Sequence, residues 1–222
     1  MKRFSLFMAV AIMSLVGCSE DSFNENFEKE AQVNLKIDAT ESVEVRALNE
    51  IIDAYKVYYK GGDDDTGIVM NQVFDLSASS KNFLGLTGSD KVVLNELDLD
   101  RIVIYPKEVS NNLSLSAEAG YLIDDFFNST IKSSSDIDML LNNLIDNITS
   151  NMKIDEEEKL VVLNACLLTI KCRGLMQSPS NGGDDDDDWS RSNSIMAAGL
   201  SGGIESPAQA VLNAAVVTVL TL

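Results

Sequence analysis

The chain has 222 residues, a formal net charge of −18 and no histidine. Its acidity sets it against nucleic acid and anionic lipid surfaces. The missing histidine excludes Ser-His and Cys-His nucleophile systems and the commonest zinc and iron ligand. Hydrophobic residues make up 45% of the chain, enough for a core, so the charge does not mark disorder.

In chain order, Lys2 and Arg3 precede an apolar run, Phe4 to Val16, and Leu15-Val16-Gly17-Cys18 closes it. Thirteen residues are too few for a transmembrane span, and their flanks are those of a signal peptide. The segment resembles the lipobox signal peptide of bacterial lipoproteins. That resemblance implies a signal peptide over 1–17, cleavage before Cys18 and a diacylglyceryl group on the Cys18 thiol. Two or three acyl chains, palmitate among them, would then hold the product to a membrane. Each buried methylene contributes about 0.8 kcal/mol, and one chain alone binds only marginally, so several give a stable anchor. Ser19 stands where an aspartate would favour inner-membrane retention. Ser19-Glu20-Asp21 is similar to the export signal of Bacteroidota surface lipoproteins. The expected address is the outer membrane, with the periplasmic face and the cell surface both open. Loss of Lys2 and Arg3 with the signal peptide takes the net charge from −18 to −20.

Residues 18–30 are polar and acidic, with scattered Phe23 and Phe27, and read as a lipidated flexible tether. Residues 31–107 read as a helical or mixed region. Gln32–Ile37 alternates apolar and polar, with Val33, Leu35 and Ile37, as in a short strand or an extended lead-in. A helix is expected from Ser42 to Lys60, where Leu48, Ile51, Ile52, Tyr55, Tyr58 and Tyr59 recur at three- and four-residue steps before Gly61-Gly62. The tyrosines read as core and rim of that helix. Ile68–Leu76 and Val92–Tyr105 fit helix or strand; Ser89 is a possible cap for the latter, and Pro106 ends it.

Residues 108–222 read as a helical region packed with the first as one domain. Ala117–Ile131 carries Tyr121, Leu122, Asp125 and Phe126 at helical spacing. Asp136–Met152 carries an apolar stripe, Ile137, Leu140, Leu141, Leu144, Ile145 and Ile148, capped by Ser135 or Asp136. A further helix begins at Asp155, with Glu156, Glu157 and Glu158 at its positive end. It is apolar nearly all round from Leu160 to Ile170, with Gly174 as its expected stop. Cys166 and Cys172 lie on it six residues apart, about 9 Å along the axis and on different faces. They read as buried thiols; a disulfide would require the helix to end before Cys172. Pro207–Leu222, capped by Ser206, reads as a second buried helix, since about 24 Å is short of the bilayer core. Its apolar end would also fit a truncated frame. The expected fold is a mainly α helical bundle with mixed α+β structure in its N-terminal part.

Two glycine-flanked aspartate tracts are the calcium candidates: Asp63, Asp64 and Asp65, and then Asp184, Asp186 and Asp188. Neither matches an EF-hand, because Trp189 occupies the turn-glycine position and Ile195 that of the bidentate glutamate. The competing reading is a solvated, self-repelling loop between helices. Trp189 reads as a partner or glycan contact, or as an anchor for that loop. Ser201-Gly202-Gly203-Ile204-Glu205-Ser206 resembles the pyrophosphate loop of ATP pyrophosphatases. Only fifteen residues follow Pro207, too few for such a domain, so no nucleotide is expected. The leading expectation is a non-enzymatic lipid-anchored envelope protein that binds a protein or surface ligand. The alternatives are a carboxylate-based enzyme acting on glycans and a calcium-dependent adhesion module.

Overall fold

The structure, a computed structural model, describes residues 42–59, 65–88, 92–132, 136–176 and 185–221, all within the unit Asp38–Leu222. It is a helical bundle, with no strand among the described residues. Ten helices follow in order: α1 Val43–Tyr58, α2 Thr66–Ser77, α3 Lys81–Thr87, α4 Glu96–Ile104, α5 Pro106–Asn111, α6 Ala117–Lys132, α7 Ile137–Ser150, α8 Glu156–Met176, α9 Asp185–Glu205 and α10 Pro207–Leu220.

Both segments that fit helix or strand are helical, as α2 and as α4 followed by α5. Local side-chain caps set their starts. Asp65 accepts from the Ile68 amide at 2.9 Å, and Asn95 accepts from Leu97 at 3.1 Å. Tyr105 and Pro106 divide α4 from α5, with proline in the first turn where its missing N–H costs nothing. The expected strand at Val33–Ile37 and the cap at Ser89 lie outside the described residues. Gly174 does not stop α8, which runs on to Met176.

α10 is the centre. Every residue from Ala208 to Val219 is buried, and the helix touches α1, α2, α3, α4, α8 and α9. Its polar residues are satisfied inside the core. Gln209 donates to Asn213 at 2.9 Å and accepts from the Val93 amide at 3.1 Å, while Thr218 donates to its own turn at Ala214. A helix apolar all round must be enclosed all round, and six neighbours enclose this one.

α9 is the finding that sequence periodicity missed. Residues 190–205 are rich in Ser, Ala and Gly, and the preceding aspartate tract reads as loop, yet one helix runs from Asp185 to Glu205. Small residues serve close approach here. A Cβ on Gly199 would lie 3.0 Å from the Ala165 Cα of α8. At the α9–α10 corner the fit is tighter: a Cβ on Gly202 would lie 2.6 Å from the Ala210 amide nitrogen and from the Gln209 carbonyl. The Ser206 amide donates to the Gly202 carbonyl, and Ser206 Oγ accepts from the Gln209 amide at 3.1 Å, so Ser206 both ends α9 and caps α10. The Ser-Gly-Gly motif is therefore a helix–helix corner, its glycine filled by backbone.

Three polar links fasten the outer helices. Glu158, in the first turn of α8, accepts from both the amide and the hydroxyl of Ser116, which caps α6. Thr130 of α6 donates to Asn193 of α9 at 3.0 Å in the interior. Glu50 of α1 accepts from Ser80 and, at 2.6 Å, from Asn82 at the start of α3.

Two outcomes follow from these contacts. Gly202→Ala should lower the unfolding free energy by at least about 2 kcal/mol in urea denaturation, because only backbone can give way. Gly174→Ala, with open space at its Cβ, should raise it by roughly 0.5–1 kcal/mol. Equal effects would contradict the corner. Separately, the Ser80 hydroxyl, helped by Asn82 and Arg46 against slight desolvation, holds the Glu50 carboxyl below its ordinary 4.5. A lowered folded-state pKa gives stability that is present above the ordinary value and lost as pH falls through the lowered one. The gap between the protein and Glu50→Gln should be full above about pH 5 and close in acid. A gap independent of pH would contradict it.

Candidate functional site

Of the calcium candidates, Asp63, Asp64 and Asp184 lie outside the described residues. Asp186 lies in the first turn of α9. The structure places Asp65 at the N-cap of α2 and Asp188 against a buried arginine, and it does not bring those two together in a shared group. Arg173 of α8, 6% exposed, holds Asp188 of α9 at 2.9 Å and Asp138 of α7 at 3.6 Å. A nearly buried guanidinium needs such counter-charges, so Asp188 is occupied structurally, and Arg173 joins three helices. Among the described residues, no group of three or more acidic, cysteine or histidine side chains is placed to hold a metal ion. Trp189 is half-buried in the same turn of α9. Cys18 lies outside the described residues.

Cys166 and Cys172 are free thiols, both fully buried, as their helical spacing predicts. Burial pushes Cys172 up to about 12, against the Thr218 hydroxyl that donates to its sulfur at 2.9 Å, and pushes Cys166 up too. A thiolate is the nucleophile, so neither is reactive in the folded protein.

The chemistry-bearing feature with a shape is a cleft of about 380 Å³ between α6 and α7. Its floor is Leu122 and Phe126 of α6 with Leu140 and Leu144 of α7. Its polar wall is Asp125, Ser129, Asn143, Asp146 and Asn147. α6 turns Ala119, Ile123, Phe127 and Thr130 inward, so Asp125 and Ser129 face the groove. The helix expected over Ala117–Ile131 is present, and of the residues at its helical spacing Phe126 is buried, Leu122 half-buried, and Tyr121, at 71%, and Asp125 exposed. On α7, Ile137, Leu141, Leu144 and Ile148 are buried as expected, and the asparagines and Asp146 follow on the exposed side. Volume and mixed lining suit a small-molecule or side-chain site. The signal for it was present in the sequence, as Leu122–Asp125 and Leu140–Asn143, each one helical step apart on neighbouring helices.

A second hollow of about 160 Å³ lies between α4, α5 and α9, lined by Asp98, Arg101, Asn112 and Ser201 among others. Arg101 there is paired with Glu108 at 3.2 Å. Among the described residues no helix is long and apolar enough to cross a membrane. The chain matches no protein family, no curated protein and no solved structure.

In a Cys18→Ala background, a disulfide reagent at neutral pH should leave Cys166 and Cys172 unmodified until denaturant unfolds the bundle, and then titrate both. Rapid modification of either in the native protein would contradict their burial.

Proposed function

We propose that the chain is a lipid-anchored cell-envelope protein, non-enzymatic, whose helical domain binds a protein or a small surface ligand. The observation that carries this reading is Leu15-Val16-Gly17-Cys18, in register with Lys2, Arg3 and the apolar run between them. The acyl chains on Cys18 supply membrane attachment, which a helical domain without a spanning helix among its described residues leaves to the lipid. Between Cys18 and the first described helix lie Ser19 to Ser42, 24 residues that reach at most about 80 Å when extended. That length lets an anchored domain act away from the bilayer surface. The absence of histidine and the burial of both downstream cysteines favour binding over nucleophilic catalysis. The outer membrane is the proposed site, given Ser19 at the position after the cysteine.

Cells fed a tagged palmitate analogue test this reading. The protein should carry the label and fractionate with membranes, and Cys18→Ala should lose the label and leave that fraction. Labelling that survives the substitution would overturn it. Protease added to intact cells then decides the face: cleavage places the domain outside, protection places it in the periplasm.

A further inference from the structure

We draw no further inference here: the strongest candidate, the exposed apolar face of α4 formed by Leu97 and Ile104 and continued by Tyr105, carries no proposal because nothing in the structure shows what covers it.

Discussion

The backbone contact at Gly202 is the constraint on which the bundle depends. With no side chain there, α9 and α10 meet at their corner with Gln209 and Ala210 filling the space a Cβ would take. That approach seats α10 against α9 along its length and leaves its remaining sides to α1, α2, α3, α4 and α8. A helix with twelve consecutive buried residues contributes apolar area on every side, so each enclosing helix gains a partner from one shared element. The Gly199–Ala165 approach likewise brings α8 close to α9.

The candidate site lies outside that core but is held by it. α6 is tied to α9 by Thr130 and Asn193, and to α8 by Ser116 and Glu158; α7 is tied to α8 by Asp138 and Arg173. Fixing both walls of a cleft by contacts behind them is what keeps a binding surface preorganised, so that a ligand orders few side chains on arrival. The aspartates of the cleft take no part in those links.

Much of this was legible from residue periodicity. The helix beginning at Ser42, the buried α10 and the caps at Asp136 and Ser206 appear as read, and of the α7 stripe Ile137, Leu141, Leu144 and Ile148 are buried while Leu140 and Ile145 are half-buried. What escaped had physical causes. α9 has no apolar period because it is buried on every side from Ser192 to Leu200, with Gly, Ala and Ser among Ile195, Met196 and Leu200 allowing backbones to approach. α2 and α4 are short, so their apolar residues fit a period of two as well as one of 3.6, and only the tertiary setting decides. Tyr121 and Asp125 sit at helical spacing but off the buried face of Ala119, Ile123, Phe127 and Thr130, and only the placement of α7 and α9 fixes which face that is. For the same reason the cleft is a property of two helices together. Its Leu-Asp and Leu-Asn steps gain meaning once α6 and α7 lie side by side.

Native-state hydrogen exchange, read residue by residue, tests the central claim most directly. The amides of Val211 to Val219 and of Ile195 to Leu200 should be the slowest in the protein and should exchange only by global unfolding, while α5 and the ends of α6 and α7 open at lower free energy. If α10 exchanged as fast as α5, or opened separately from α9, the corner at Gly202 would not be the element that holds the bundle together.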